Sequence, residues 1–189
     1  MRKYLILVKH SLPEIREDLP AREWTLSKEG HFRARQLAER LSPYQPQFLV
    51  SSPEPKAMET AGMIARKHHL SLHIVHDLHE HDRSNVPYLS KKEFEEAVRE
   101  FFKNPDRRVF GTESAEETYD RFSRAVQSVL ITYEDRTIVV VSHGTVISLF
   151  VSRITGTSDE WLWTQLGLPG YVVLDLQSKS LVALEPIVQ

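Results

Sequence analysis

Two histidines in this sequence directly follow short apolar runs, a placement that would allow them to do chemistry. His10 comes after residues 5–9, and His143 comes after residues 137–142. Such runs are typical of buried strands in a parallel sheet. Because ligands bind outside the carboxyl ends of parallel strands, we expect the two imidazoles to meet at one pocket. A neutral imidazole held there could attack phosphorus and carry the phosphoryl group.

Cationic side chains and a helix start near these histidines suit an anion. Lys9 precedes His10, and Lys56 lies in the first turn of a predicted helix, where the helix dipole disfavours a cation by about 0.3–1 kcal/mol unless an anion is bound. Gly144 and Thr145 begin another predicted helix, whose first N–H groups can donate to an anion. Each residue alone has a simpler explanation, such as a strand cap or an exposed lysine. Together they indicate a phosphate-binding pocket.

The elements that must position these residues alternate between strand and helix. Strands are predicted at residues 4–8, 48–50, 72–74 with an exit at Leu78, 137–141, 171–176 and 181–184, the last two joined by a turn at 177–179. Helices are predicted from the cap Ser27 to about Leu41, from the cap Ser52 with Pro53 in the first turn, from capping boxes at Ser90 and Ser114, and from Gly144 to a stop at Gly156.

This alternation predicts an α/β fold. We expect a three-layer sandwich, in which helices cover both faces of a mostly parallel sheet and the last two strands add an antiparallel edge. The length of 189 residues suits one domain spanning 1–189. Within it, residues 83–112 are interpreted as a helical insertion that forms a lid over one end of the sheet.

Composition excludes several classes of site and partner. Without cysteine, the chain has no disulfide, no thiolate metal site and no cysteine nucleophile. A net charge of -2 gives no general attraction to nucleic acid or to acidic membranes. The first apolar run is too short for a signal peptide core or a membrane span, so we predict a cytoplasmic protein. Trp161 and Trp163 could pack the C-terminal helix or form a homodimer contact.

Several short motifs occur in an order that matches a known family. They are Lys9-His10; Ser51 followed by Lys56-Ala57 and Thr60-Ala61; Leu78-x-Glu80; and Ser142-His143-Gly144, with Leu26-Ser27-x-x-Gly30 and Glu113-Ser114 plus Arg121 as supporting signatures. This order, running from residue 5 to about residue 145, resembles the histidine phosphatase superfamily, which has the phosphoglycerate mutase-like fold.

The resemblance implies a role for each matching residue. His10 falls on the histidine that becomes phosphorylated, and Glu80 falls on the usual proton donor. His143 falls on the second pocket histidine. Lys9 and Lys56 fall where the family usually has arginines that clamp the phosphoryl oxygens. The family requires no metal and no other cofactor.

The sequence departs from the family pattern at the two lysines and at Ser11, which replaces the glycine after the nucleophile. We assign Ser11 to substrate binding, together with Gly144 and Thr145. Lysine supplies charge but lacks the planar, bidentate fork of arginine. Two functions therefore stay open. One is a histidine-type acid phosphatase that hydrolyses a small phosphorylated substrate through phosphohistidine; the other is a non-catalytic module that binds a phosphorylated ligand.

Two further hypotheses are weaker. A mutase is disfavoured because residues 11–15 lack the Asn- and Trp-containing sequence that follows the nucleophile in that branch. A metal-binding protein is conceivable because six histidines lie within residues 68–81, and imidazole suits zinc and nickel. These histidines show no regular ligand spacing, so we predict no metal site.

Overall fold

The computed structural model describes residues 3–178 and 180–187, which form one six-stranded sheet flanked by helices. The strands are β1 (Tyr4–Lys9), β2 (Phe48–Ser51), β3 (Leu72–Ile74), β4 (Ile138–Ser142), β5 (Gly170–Asp175) and β6 (Ser180–Pro186). Their order across the sheet is β3-β2-β4-β1-β5-β6. The first four strands in this order are parallel, and β5 and β6 pair antiparallel with their neighbours.

Helices cover both faces of the sheet. They are α1 (Lys28–Arg40), α2 (Pro55–His68), α3 (Lys91–Lys103), α4 (Ala115–Thr132), α5 (Gly144–Thr155) and α6 (Asp159–Gln165). Short 3-10 turns lie at Ala21–Glu23, Ser42–Tyr44 and His76–Leu78. Helices α1 and α2 pack in one hydrophobic cluster with the sheet, and α4, α5 and α6 pack in another.

The alternation of side chains along β1 shows how the two clusters arise. Leu5 and Leu7 belong to the cluster with α4 and α5, whereas Ile6 and Val8 belong to the cluster with α1 and α2. Successive strand residues point to opposite faces, so a continuous apolar run fills both cores. The predicted three-layer α/β fold with an antiparallel edge is therefore confirmed.

Most of the predicted helix ends are confirmed by their caps. The Ser27 hydroxyl accepts a hydrogen bond from the Gly30 N–H, which starts α1. Both predicted capping boxes, at Ser90 and Ser114, are complete in α3 and α4. Helix α5 ends at Gly156, whose φ of 72° lies in the left-handed region that favours glycine.

The predicted start of α2 is wrong. Ser52 was expected to cap this helix with Pro53 in its first turn, but Glu54 occupies the cap position and Pro55 the first helical position. The reason is that Ser52 still belongs to the sheet: its N–H donates to Val141 of β4. The two-residue shift brings a carboxylate, rather than a hydroxyl, to the start of α2.

Segment 83–112 contains α3, which packs away from the two main clusters. Val98 and Phe101 of α3 are buried in a third cluster. This cluster also contains Ala115, at the start of α4, and Leu149, in the middle of α5. The role of this segment as a lid, and the extent of the domain over 1–189, stay predictions.

Two further features concern the ends of elements. The turn between β5 and β6 begins with the N–H groups of Gln177 and Ser178 donating to Asp175, while Lys179 of the predicted turn lies outside the described residues. Among residues 3–178 and 180–187, no helix combines the length and the apolar character needed to cross a membrane.

Candidate active site

Three parallel strands end at the same edge of the sheet and bring the predicted residues together. Strand β4 lies between β1 and β2, and Lys9 pairs in register with Ser142. The His10 N–H donates to the Ser142 carbonyl, which fixes the two strand ends beside each other. The rings of His10 and His143 consequently lie 5.1 Å apart between centroids, at an angle of 61°. The two imidazoles that were predicted to meet are therefore neighbours in the structure.

The tautomer of His10 is set by the backbone. Its Nδ1 lies 2.8 Å from the Ser11 carbonyl oxygen, which can only accept, so Nδ1 carries the proton and donates. Nε2 is then the nitrogen with a free lone pair. Burial, followed by the nearby His143 and Lys56, holds the pKa of His10 well below its usual value. His10 is therefore a neutral imidazole at physiological pH, as an attack on phosphorus requires.

His143 is fully buried beside it. Its Nε2 lies 2.7 Å from the Ser52 hydroxyl oxygen and 3.3 Å from Oε1 of Glu54. Its Nδ1 is buried and makes no hydrogen bond with any residue between 3 and 187 that the structure describes. Burial and then Lys56 hold the pKa of His143 well below its usual value. Nδ1 of His143 is thus a polar atom that a ligand oxygen could pair with.

Lys56 is a buried cation that the protein itself neutralises. Its Nζ donates to the Ala21 carbonyl at 2.7 Å and forms an ion pair with Oε2 of Glu54 at 2.5 Å. Burial lowers its pKa, although Glu54 opposes that effect. The anion expected to offset a lysine in the first turn of α2 is therefore supplied by Glu54 at the helix cap.

Lys9 is the last residue of β1 and directly precedes His10. Its Nζ donates to the Leu166 carbonyl at 3.0 Å and lies 5.9 Å from the centre of the Trp163 ring. A Cβ at Gly144 would stand 3.1 Å from Cε of Lys9, so the glycine leaves room for the lysine chain. Burial lowers the pKa of Lys9 to about 8, with Glu80 partly opposing it.

Glu80 occupies the start of α5. Its carboxylate accepts the N–H groups of Thr145 at 3.2 Å and Val146 at 3.3 Å, as well as that of His81 at 3.0 Å. Burial alone would raise the pKa of Glu80, but Arg83 and then His143 and the His81 N–H bring it below its usual value. A carboxylate at a helix N-terminus is also favoured by the helix dipole.

This contact corrects one expectation about α5. Thr145 was predicted to offer a free N–H to a substrate, but that N–H is donated to Glu80. Gly144 differs, because no described residue accepts its N–H. The helix start can therefore contribute Gly144 to an anion directly, while Thr145 acts on Glu80.

Ser11 directly follows His10, but its polar groups face the protein. Its N–H donates to Thr60 at 2.9 Å, and its hydroxyl donates to the Gly30 carbonyl at 2.7 Å. The side chain is fully buried. Ser11 thus joins the loop after β1 to α1 and α2, and its polar groups are already used.

Sequence reasoning missed Glu54. This buried carboxylate touches Lys56 and His143 and also accepts the N–H of Glu80 at 2.9 Å. The available signal was Pro55, since proline favours the first helical position and would have made Glu54 the residue before the helix. Glu54 therefore contacts both the His143 ring and the backbone of Glu80.

Glu113 and Arg121 hold the Glu80 loop from outside the pocket. The Arg121 guanidinium forms a two-pronged ion pair with Glu113 at 2.8 Å. It also donates to the carbonyls of Asp77, His79 and Glu80. The pair therefore positions the segment that carries Glu80.

The histidine-rich segment does not gather around one point. His79 donates from Nδ1 to the His76 carbonyl, His68 lies 2.9 Å from the Ala38 carbonyl, and His73 stacks on Phe48. Among the described residues, no three His, Asp or Glu side chains are placed to hold a metal ion. Nothing in these contacts supports the metal-binding hypothesis.

A family model described as the histidine phosphatase superfamily (branch 1) matches residues 5–185. The chain belongs to this family. The match extends over β1 to β6 and includes every candidate site residue, so the family suggested by the order of motifs is confirmed.

This chain is also similar in sequence to a known protein. A protein of Bacillus subtilis (strain 168), called uncharacterized phosphatase PhoE, is 26% identical over 141 residues, which cover 75% of this chain and 70% of the relative.

Two solved structures share the fold of this chain at low sequence identity. A mycobacterial glucosyl-3-phosphoglycerate phosphatase superposes with a TM-score of 0.74 at 20% identity, covering 92% of this chain and 90% of that chain. A phosphoserine phosphatase from Entamoeba histolytica in complex with 3-phosphoglyceric acid gives a TM-score of 0.78 at 19% identity, covering 97% and 96%. These likenesses extend the confirmation of the fold to nearly the whole chain.

Proposed function

We propose that this protein is a phosphatase that hydrolyses small phosphate monoesters through a phosphohistidine formed on Nε2 of His10. The observation that carries the proposal is the bond from Nδ1–H of His10 to the Ser11 carbonyl, which leaves Nε2 unprotonated beside His143. A histidine needs that tautomer to act as a nucleophile. The proposal assigns the reaction to protein groups alone and includes no cofactor.

In the first step, the Nε2 lone pair of His10 attacks phosphorus and the bond from phosphorus to the leaving oxygen breaks. The leaving alkoxide takes a proton from Glu80. Glu80 is ionised before substrate binds, because its pKa is below its usual value. A phosphoryl dianion close to this carboxylate raises its pKa by like-charge repulsion, so Glu80 takes up the proton as substrate enters.

Cations and N–H groups around His10 would bind the phosphoryl oxygens. Lys9 and Lys56 supply charge, Nδ1 of His143 supplies a buried polar atom, and Gly144 supplies an N–H that no described residue accepts. Stabilising charge on the non-bridging oxygens is the main contribution that proteins make to phosphoryl transfer. Ser11 and Thr145 would act indirectly, by placing the loop after β1 and the Glu80 carboxylate.

In the second step, water attacks the phosphorus of phosphohistidine. Glu80, which lost its proton in the first step, accepts a proton from that water. The bond from phosphorus to Nε2 breaks, inorganic phosphate forms, and His10 returns as a neutral imidazole. Glu80 therefore takes up a proton twice in each cycle, from solvent as substrate enters and from the attacking water, and gives one up twice, to the leaving alkoxide and to solvent as phosphate leaves.

A second function deserves a test because both lysines are already engaged. Lys56 is bound by Glu54 and Ala21, and Lys9 is bound by Leu166. If these contacts persist with ligand present, little charge reaches the phosphoryl group and the transition state is poorly stabilised. The protein would then bind a phosphorylated ligand without turning it over.

Hydrolysis of p-nitrophenyl phosphate by the wild type and by His10→Ala separates the two functions. We expect turnover by the wild type, its loss in His10→Ala, and full retention in the control His76→Ala, whose side chain is exposed. Brief incubation with a radiolabelled monoester should also leave label on the wild type that alkali preserves and acid removes. Ligand binding without turnover or labelling would contradict the phosphatase proposal and support the binding module.

A further inference from the structure

The Glu54 carboxylate is a buried acid that the proposed reaction does not use. Each of its two oxygens has partners of its own. Oε2 is bound by Nζ of Lys56 at 2.5 Å. Oε1 accepts the N–H of Glu80 at 2.9 Å and lies 3.3 Å from Nε2 of His143. One carboxylate therefore connects a buried lysine, the second pocket histidine and the segment that carries the proposed proton donor.

The contacts of Nε2 decide which nitrogen of His143 carries the proton before a ligand binds. Nε2 lies 2.7 Å from the Ser52 hydroxyl oxygen, and the Glu54 oxygen beside it can only accept a hydrogen bond. A lone pair on Nε2 would face that negative oxygen, so the proton of the neutral ring is on Nε2. Nδ1 then carries a lone pair. It is buried and has no hydrogen-bond partner within residues 3–178 and 180–187.

A phosphoryl oxygen does not fit this tautomer, because a lone pair on Nδ1 and an anionic oxygen repel each other. Moving the proton from Nε2 to Nδ1 would correct that contact but would turn a lone pair of Nε2 toward Glu54. A second proton satisfies both sides of the ring. Nδ1–H then donates to the phosphoryl oxygen, and Nε2–H donates to Ser52 beside the Glu54 charge. The buried imidazolium is thereby paired and hydrogen-bonded, as a buried charge has to be.

The charges on the two sides of the His143 ring change when a phosphoryl group binds. The charged and titratable side chains that act on the ring come from the start of α2, the loop after β3 and the end of β1, and they are Glu54, Lys56, His79, Glu80, Arg83 and His10. Before a ligand binds, burial and then Lys56 hold the pKa of His143 well below its usual value. A phosphoryl dianion at Nδ1 adds negative charge on the side opposite Glu54, and negative charge nearby raises the pKa of an imidazole.

We propose that Glu54 is a positioning residue that makes His143 bind the phosphoryl group as an imidazolium. Glu54 disfavours the other neutral tautomer and supplies the counter-charge on the Nε2 side of the ring. This inference rests on the proposed function of the pocket and deepens it, because the phosphoryl oxygens then meet a third cation in addition to Lys9 and Lys56. Nδ1 takes its proton from solvent as the ligand binds and returns it to solvent as inorganic phosphate leaves.

Ring-nitrogen NMR of protein labelled at histidine tests the proposal, since it distinguishes the two neutral tautomers from the imidazolium. Comparison with His143→Asn assigns the signals of His143. We expect the wild type to show the Nε2–H tautomer without ligand and the imidazolium when inorganic phosphate saturates the pocket. A His143 ring that stays neutral at every phosphate concentration, in either tautomer, would overturn the proposal.

Glu54→Gln isolates the part played by the carboxylate charge. The amide N–H of glutamine can donate to a lone pair on Nε2, so His143 should bind phosphate as the neutral Nδ1–H tautomer in this variant. Glu54→Asp keeps the charge and should retain the imidazolium. Glu134→Gln is the matched control, because Glu134 is exposed and should leave the wild-type behaviour unchanged. An imidazolium in the phosphate complex of Glu54→Gln would show that the phosphate alone charges the ring and would overturn the role of Glu54.

Proton uptake on phosphate binding is a second measurement of the same event. Calorimetry in buffers of different ionisation enthalpy counts the protons, and a Glu80→Gln background removes the proton that Glu80 takes up. In that background, protein with Glu54 intact should take up about one proton more per phosphate than protein with Glu54→Gln. The exchange of protons by phosphate itself is common to both and cancels. Equal uptake would contradict the proposal.

Both measurements require binding but no turnover, so they separate this inference from the proposed hydrolysis. Turnover of p-nitrophenyl phosphate by a protein whose His143 stays neutral with phosphate would support the phosphatase and overturn the role of Glu54. An imidazolium that depends on Glu54, in a protein without turnover, would support Glu54 and leave the binding module as the function.

Discussion

Lys9 and Lys56 carry positive charge near His10, and the two lysines have different partners. Lys56 is paired with a carboxylate, whereas Lys9 has only the Leu166 carbonyl and the Trp163 ring. A neutral carbonyl stabilises an ammonium less than a carboxylate does. Burial lowers the pKa of Lys9 to about 8, which lies within the pH range of ordinary assays.

We expect kcat/KM for p-nitrophenyl phosphate to fall as the pH rises through about 8, because Lys9 loses its proton there. The ratio kcat/KM reports the free enzyme, for which this pKa applies. In Lys9→Arg the guanidinium keeps its charge, so the decline should move to higher pH. Rates measured from about pH 6 to about pH 10 check this. Lys67→Arg is the control, because Lys67 is exposed on α2. Identical pH profiles for Lys9→Arg and the wild type would contradict the prediction.

The sequence predicted which residues meet but not how they are bonded. His10, His143 and Lys9 were placed together by a general rule about strand ends, which depends only on topology. The carboxylate of Glu54 was missed because its importance comes from contacts with His143 and Glu80, which are remote in sequence. Hydrogen-bond partners depend on side-chain packing, and periodicity carries no information about that.

At the scale of elements, the pocket depends on how α1 is seated against the loop that follows His10. The Ser11 hydroxyl and the Leu12 carbonyl contact the first turn of α1 at Gly30 and Ser27. Helix positions were predictable because caps and apolar stripes are local signals. The start of α2 was not predictable in this way, because the Ser52 N–H is bonded to Val141 of β4 and the helix begins only after Glu54.

Gly30→Ala should damage both folding and activity. A Cβ at Gly30 would stand 2.0 Å from the Leu12 carbonyl oxygen, a backbone atom that cannot move without shifting the loop after His10. We expect the free energy of unfolding to fall by about 1–3 kcal/mol and the rate with p-nitrophenyl phosphate to fall with it. Urea denaturation and the assay measure the two effects.

Gly62→Ala is the matched control within α2. The nearest atom to its Cβ would be the end of the Arg66 side chain at 3.8 Å, so alanine fits and should stabilise the protein by about 0.5–1 kcal/mol. If the free energy of unfolding changed in the same direction in Gly30→Ala and in Gly62→Ala, the contact between Gly30 and Leu12 would not limit how closely α1 packs.

For the molecule as a whole, buried histidines tie stability to pH. His10 and His143 have pKa values well below the usual 6.5, and burial lowers that of His81, which lies between Phe101 and Phe110, to about 4. The folded protein keeps these imidazoles neutral, whereas the unfolded chain protonates them near their ordinary value. Protons therefore bind preferentially to the unfolded state in mildly acidic solution.

The free energy of unfolding should fall as the pH drops below about 6.5, by up to about 1.4 kcal/mol per pH unit for each of these histidines. Urea denaturation at pH values of about 7.5, 6 and 5 measures the slope. His143→Asn, which keeps a polar side chain but cannot titrate, should give a shallower slope than the wild type. Equal slopes would mean that His143 gains its proton in the folded state as readily as in the unfolded chain.

The overall architecture was predictable because a parallel strand that is buried on both faces consists of consecutive apolar residues. The four consecutive apolar residues 138–141 identified β4 without any knowledge of its neighbours. The order of strands was not predicted, since it is decided by pairing between distant segments. That order has β4 between β1 and β2.

The central position of β4 has a consequence for synthesis on the ribosome. In the sheet, β1 pairs with β4 and β5, and both of these are translated late. A nascent chain that ends before residue 138 therefore offers β1 no neighbour and has only half of the pocket. Because domains generally fold as units during translation, His10 and His143 can meet only after roughly three-quarters of the polypeptide has been made. Fragments released earlier would lack this contact.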